Sequence, residues 1–252
     1  MKRNRMHKLN SMVLATMLFG PVLGFAQTAT GPNDVYIEQV GNSNTVTIEQ
    51  VGGTNRVGGT TTATPSSANY GTITGSTNTV LVKQTGDNNL EQYNIRGNNN
   101  NYSAIILGSG NSNKLNIGSV SALVNLRNTV TETVTGDNNT IIQTLLGNDI
   151  TSTLAITGST NEVTKELYSS RGTSAVTITG GNNKLDVEQL DSAGANGHIF
   201  TGLVAGGYNS IVTQQQGSND TTIDLKIAGD NNTVTVRTSS TSIAGPRTAV
   251  AR

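Results

Sequence analysis

Asparagine and glutamine recur in this sequence at spacings that would let their side-chain amides bond one another in rows. Asn33, Asn44 and Asn55 stand 11 residues apart, and so do Gln39 and Gln50. An amide both donates and accepts, so amides stacked in register form a ladder of the kind that holds cross-β structures together. The chemistry on offer is cohesion rather than catalysis. The candidate ladder residues are Asn33, Gln39, Asn44, Gln50, Asn55, Asn78, Gln84, Asn89, Asn139, Asn183, Gln189, Asn209 and Gln215, with Gly41, Gly52 and Gly86 in the turns between them.

Other chemistry is sparse. Cys is absent, which removes disulfides and thiolate metal sites. His7 falls in a leader-like segment, and His198 has no Ser or carboxylate pair around it, so a surface-loop histidine is expected there. Gly-Asp-Asn-Asn occurs at Gly86–Asn89, Gly136–Asn139 and Gly229–Asn232. Oxygen-rich turns can hold Ca²⁺, but this spacing is not the Gly-Gly-x-Gly-x-Asp calcium repeat. Asp therefore reads as a turn former and a charge that opposes aggregation. A β-helix polysaccharide lyase needs charged groups clustered in a groove, and here the charges are scattered. An ice-binding face needs Thr-x-Thr at every coil; Thr45/Thr47 and Thr151/Thr153 fit, while Leu90/Gln92 and Lys184/Asp186 do not. No cofactor and no metal are expected.

The elements that would position the amides follow from residues 33–55, NDVYIEQVGNSNTVTIEQVGGTN. Each 11-residue phrase opens on Asn, then places apolar residues at +2 and +4 (Val35, Ile37; Val46, Ile48), Gln at +6 and Gly at +8. These positions share one parity and so one side of a strand, with Tyr36, Glu38, Thr45, Thr47 and Glu49 on the other. Gly-x-x-Asn supplies the turn, Gly taking positive φ freely and Asn tolerating the left-handed region. The fold class expected is all-β: a β-solenoid of stacked strand–turn–strand coils with a 22-residue repeat made of two halves of 11.

Units start at 33, 44, 55, 67, 78, 89, 100 and 111, then 128, 139, 150, 161, 172 and 183, then 198, 209, 221 and 232. Of these 18 half-coils, 13 open on Asn and 13 carry Gly at +8. A disordered Gly/Asn/Thr-rich chain has no reason to keep such register, which decides for a repeat architecture. No unit can bury its own apolar face, so coils stacked about 4.8 Å apart must share one core. The irregular coils are 55–77, 111–127 and 161–205. Residues 56–66 include Pro65 and read as a loop or poor edge strand. Extra residues before Asn128, after Asp191 and after Gly217 read as loop insertions, the last of them turning Ile223, Leu225 and Ile227 inward. Glu91, Glu132 and Lys165 also fall on the inward parity. A lone buried charge is costly, so a locally shifted register or a corner position near water is expected for them.

Gln-x-Gly-x-x-Asn with alternating aliphatics, present at Gln39–Asn44, Gln50–Asn55 and Gln84–Asn89 and degenerately at Gln216–Asn219, resembles the curlin repeat of bacterial curli fibre subunits. The resemblance covers 33–54 and 78–97 in letter and 98–238 in period. It implies a secreted, non-enzymatic subunit of an extracellular amyloid-like fibre serving adhesion and biofilm matrix. Its implied partners are further copies of itself or a related curlin subunit. The alternative is a non-polymerising secreted solenoid adhesin that binds glycan or ice.

The organisation expected is a signal peptide at 1–26, a short segment at 27–32, the repeat solenoid at 33–238 and a flexible tail at 239–252. Lys2, Arg3, Arg5 and Lys8 precede the apolar run Met12–Phe19, Pro21 follows, and Gly24-Phe-Ala26 places small residues before a cut at Gln27. That run is too short to span a bilayer, and no later one is apolar enough. Without its leader the chain keeps 12 Lys+Arg against 16 Asp+Glu, which offers no basic patch to nucleic acid.

Overall fold

Alternation in the sequence becomes alternation in burial. Along Thr79–Thr85 and Asn101–Leu107 every second side chain is fully buried and those between face outward. The computed structural model describes residues 4–5, 31–58, 71–118, 126–167, 171–189, 198–216 and 222–239, and these are all-β, without a helix. They form two sheets of parallel strands, and the chain crosses from one to the other at each Gly-x-x-Asn turn. Neighbours within a sheet therefore come from alternate segments: Thr79–Thr85 lies beside Asn101–Leu107, and Leu90–Arg96 beside Ser112–Ile117.

Register measures the length of each coil. Thr79 pairs with Asn101 and Thr129 with Thr151, both 22 residues apart. The offset is 28 between Asn101 and Thr129, 26 between Thr173 and Ile199, and 23 between Ile199 and Thr222. Extra residues have entered those coils without disturbing the pairing on either side.

One boundary differs from the sequence reading. Residue 67 does not open a half-coil of its own. Arg56–Val57 stack on Asp34–Val35, and Thr72–Thr74 stack on Glu38–Val40. Residues 55–58 and 71–77 thus complete a single half-coil with 59–70 inserted, and Thr45 pairs with Thr79, 34 residues on. The inserted residues hold Pro65, which has no N–H to give a ladder. Nine described half-coils then build the first sheet and eight the second. At the outer edge of the first sheet a short strand, Asn4–Arg5, pairs antiparallel with Glu38–Gln39. The rest of the expected leader, Gly217–Asn219 and the tail from residue 240 lie outside the described residues.

The core fills the space between the sheets as columns of one residue per coil. Val82, Ala104, Leu154 and Val176 are buried on the second sheet, with Leu115, Val187 and Ile211 on the first. Ile223 and Leu225 turn inward at 6% and 8% exposure, and Ile227, Val234 and Val236 are partly buried against them at the end of the stack. The parity can be tested on two neighbours of the same type. Ile141 is fully buried whereas Ile142 is 39% exposed. Ile141→Ala should cost about 2–5 kcal/mol in urea unfolding, and Ile142→Ala less than about 0.5 kcal/mol; equal losses would refute the strand assignment.

Candidate functional site: asparagine ladders and a buried polar seam

The repeat asparagines stack into a ladder along the first sheet's side of the turn: Asn33, Asn55, Asn89, Asn111, Asn139, Asn161, Asn183, Asn209 and Asn232. At each step the backbone N–H of one Asn donates to Oδ1 of the Asn in the preceding coil, at 2.8–3.1 Å. From Asn89 onward its Nδ2 donates to the same oxygen, at 3.0–3.1 Å. The second Nδ2 hydrogen reaches forward to the glycine carbonyl of the following coil, as from Asn55 to Gly86 (2.6 Å) and Asn139 to Gly158 (2.9 Å). Every rung between Asn33 and Asn232 is thus tied in both directions, and the ladder has a sense: the Oδ1 acceptors face the C-terminal end.

A second ladder starts with Asn44, Asn78, Asn100 and Asn128 and then stops. Ile150 takes the next rung, its N–H still donating to Asn128 Oδ1 at 2.8 Å. His198 opens a later half-coil on this side, and it is fully buried, contrary to the surface position expected. Its carbonyl accepts from Thr173 N–H, which places it in the coil stack rather than in a loop.

The turns depend on close backbone approach. A Cβ on Gly86 would stand 2.0 Å from the carbonyl oxygen of Gly108, and Gly86 itself has a φ of +119°. Positive φ at the turn glycine is as the sequence suggested, but the left-handed position is not the repeat Asn. It belongs to the residue before each repeat Asn, occupied by Asn88, Asn138, Thr160 and even Arg127 and Tyr208, at φ of 51–61°. The repeat Asn is free to serve as a rung. The turn aspartates are rungs too: Asp87 Oδ1 accepts from Gly53 N–H (2.6 Å), Asp137 from Ser109 (2.7 Å) and Asp230 from Gly207 (2.7 Å).

Glutamine behaves differently from the expectation. Gln50 donates to Gln84 at 2.8 Å, but Gln84 in turn donates to the Arg56 carbonyl and stacks on Ile106. Gln39 stacks on Ile73, not on another amide. Gln189 and Gln215 reach across the core to the carbonyls of Thr173 (3.1 Å) and Ile199 (2.6 Å). A Gln is long enough to satisfy itself on backbone, so only Asn, held short against the turn, forms the continuous column.

The inward charges are neither shifted nor at a corner. Glu91, Glu132 and Lys165 are at most 1% exposed, joined in a seam that crosses the core. Tyr102 donates to Glu91 at 2.5 Å and lies 3.2 Å from Glu132. Asn113 and Gln143 donate to Glu132 at 2.9 and 2.5 Å, Ser152 donates to Gln143 at 3.0 Å, and Lys165 donates to Ser152 and to the Thr153 carbonyl. A phenol has one proton, so both Tyr102 contacts are satisfied when one carboxyl is itself protonated. Burial, then the neighbouring Glu132, push the Glu91 carboxyl well above its ordinary range. Burial raises Glu132 to about 7 and lowers Lys165 to about 7. No single residue announces this seam in sequence; the signal was three charges of one parity within four coils.

These features define a two-sheet parallel β-solenoid clamped at its turns by asparagine ladders. Residues 31–58, which hold the first three rungs of the combined ladders, match the curlin associated repeat. No curated protein and no solved structure matches the chain. Among the described residues no group of His, Cys, Asp or Glu is placed to hold a metal ion.

Two measurements test this geometry. Asn139→Ala removes the donors to Asn111 and Gly158 and strips Asn161 of its acceptor. It should cost about 3 kcal/mol in urea unfolding, since buried groups left unpaired cost about 1–3 kcal/mol each. Asn138→Gly, one residue away at φ 56°, should change stability by less than about 0.5 kcal/mol. The seam predicts a pH dependence. A carboxyl whose folded pKa is raised binds its proton more tightly folded than unfolded, so its contribution is favourable below about 4.5 and is lost as pH rises from there toward the folded value. Lys165 acts in the opposite sense, costing stability below about 7 and progressively less up to 10.5. Glu91→Gln removes only the first effect. Relative to the unsubstituted chain it should gain stability as pH rises above about 4.5, by up to about 1.4 kcal/mol per pH unit. A difference independent of pH would show that Glu91 titrates normally.

Proposed function

We propose that this chain is a secreted structural subunit of an extracellular curli-type fibre, serving adhesion and biofilm matrix, with residues 1–26 as the cleaved leader. The curlin associated repeat at 31–58 supports the fibre-subunit class, which is structural and not enzymatic. The observation that carries the reading is the polarity of the first asparagine ladder. It runs the length of the described stack, so its two ends are unlike and complementary. Asn33 has no rung below it among the described residues, and Asn232 Oδ1 has none above. The second sheet likewise ends on Thr45–Val51 at one side and Thr222–Ile223 at the other, both parallel-strand edges. Removal of the leader would free the Glu38–Val40 edge that Asn4–Arg5 now covers.

Such ends meet head to tail, and a head-to-tail contact that does not close gives an open filament. Other copies of this chain, or a related curlin subunit, are the partners this supports. A non-polymerising adhesin would be expected to close its terminal coils with a polar cap, whereas among the described residues the end at Val234 and Val236 is part-apolar. Purified residues 27–252, diluted from denaturant, should assemble after a lag that preformed fibres abolish. The fibres should bind thioflavin T and diffract at about 4.7 Å and about 10 Å. A β-rich monomer that stays soluble at high concentration even when seeded would overturn this reading in favour of the adhesin.

A further inference from the structure

The two outer faces of the solenoid are unlike. The first sheet displays charge along its whole length, including Asp34, Arg56, Lys114, Glu162 and Lys184. On the second sheet, across the five coils from Asn101 to Ala205, every outward residue of the strand segments is uncharged, and charge is confined to the flanking turns, at Arg127, Asp137, Asp149 and Arg171. Register sorts these residues into columns: Thr129, Thr151 and Thr173 in one, Ser103, Thr131 and Thr153 in the next. Leu107, stacked with Thr135, and Ile199 add exposed apolar surface at 43% and 37%. Within the strands charge returns only toward the ends of the stack, as in the Glu49–Lys83 pair at 2.9 Å.

We propose that this uncharged face packs against the same face of a second copy about a two-fold axis, so that filaments of this chain associate in pairs. The inference rests on the fibre reading. The occupant follows from the chemistry of the surface. Thr, Ser and Ala are short, and sheets that carry them interdigitate about 10 Å apart as dry zippers. A face without charge meets its own copy without repulsion, whereas the first sheet would have to desolvate its ions. A charged polymer would find no charge on the strands, and at the turn edge only mixed signs, Arg127 being paired with Asp149. A flat sugar chain would lack a stacking platform, because Tyr102 of this sheet is turned fully inward.

Area agrees. Five coils at about 4.8 Å and strands of about seven residues make a face of roughly 550 Å² per copy, or about 1,100 Å² for a pair. That just exceeds the roughly 1,000 Å² of a specific contact, so two isolated molecules would bind weakly. Along a filament the same contact repeats at every subunit, and linked contacts add.

The test compares filaments grown at low salt from four chains: unsubstituted, Thr131→Lys with Thr153→Lys, Thr131→Glu with Thr153→Glu, and Ile142→Lys with Thr164→Lys on the opposite face. All four substituted positions point outward in adjacent coils, so each Lys pair imposes a repulsion between neighbouring coils, the control pair being flanked in addition by Lys114 and Asp186. Mass per length by scanning transmission electron microscopy is the readout. The unsubstituted chain and the Ile142/Thr164 variant should give paired filaments. The Thr131/Thr153 Lys or Glu variants should each give filaments of half that mass per length. Mixing preformed Lys and Glu filaments should restore the full value. Single filaments from the unsubstituted chain, or pairs that survive Lys at Thr131 and Thr153, would overturn face pairing while leaving the fibre reading intact. Absence of filaments from every chain would overturn both.

Discussion

The structure depends on one constraint: each coil must sit on the one before it at the backbone hydrogen-bonding distance, in register, at every turn. Strand pairing alone fixes distance but not register, because a slip of two residues keeps the parity. The turns remove that freedom. Gly86 and Gly108 approach so closely that no side chain fits between them, and the Asn beside each turn donates to the coil below through its backbone N–H and Nδ2 and bonds the coil above through Oδ1 and its second Nδ2 hydrogen. A slipped coil would lose the glycine contact and leave buried amides unpaired. The insertions show how strong this control is. A coil can gain residues, as between Val57 and Thr72, and the pairing resumes in the same register beyond it.

Once register is fixed, the interior becomes tolerant of chemistry that a globular core would reject. Lys165 and Glu132 are buried, yet the coils around them place Ser152, Gln143, Asn113 and Tyr102 within bonding distance. Buried ionisable groups are costly mainly when left without partners. Here the partners come from different coils and from both sheets, so the seam exists only after four coils have stacked. Such a network contributes more to the uniqueness of the stacking order than to net stability, since its bonds fail if any coil is misplaced.

Much of this fold was legible because its period is short and its signals are redundant. Parity, the inward turn of Ile223 and Leu225, and the positions of the repeat asparagines all follow from counting in elevens. What escaped was whatever depends on contacts between coils. Residues 55–77 have enough letters for two half-coils, and only the pairing of Val57 and Ile73 with a single neighbouring strand shows that they make one. Gln39 and Gln84 share a motif position, but their neighbours are aliphatic in the next coil, so a Gln column never develops. His198 reads as a lone polar residue in a loop-like stretch, yet it falls on an inward position of the stack. The uncharged face was hidden for the same reason: the threonines are scattered along the chain and come together only through register.

The distribution of cohesion along the stack also accounts for where the curlin-like letters are found. Inside the chain, covalent connection holds each coil at high effective concentration next to its neighbour, so a weak rung suffices. Beyond Asn128 the second ladder is accordingly replaced by Ile150 and by aliphatic columns such as Ile156 and Ile178, which contribute burial without direction. A coil that must recognise another molecule has no such help and needs directional bonds that reject a wrong register. The first coil, within the matched residues 31–58, keeps its full set of Asn and Gln, and among the described residues the ladder from Asn33 to Asn232 runs from the first coil to the last. On the second sheet the asparagine ladder is confined to the coils up to Asn128, whereas on the first it is kept at every described coil, so it is the first ladder that carries direction through the interior to the far end.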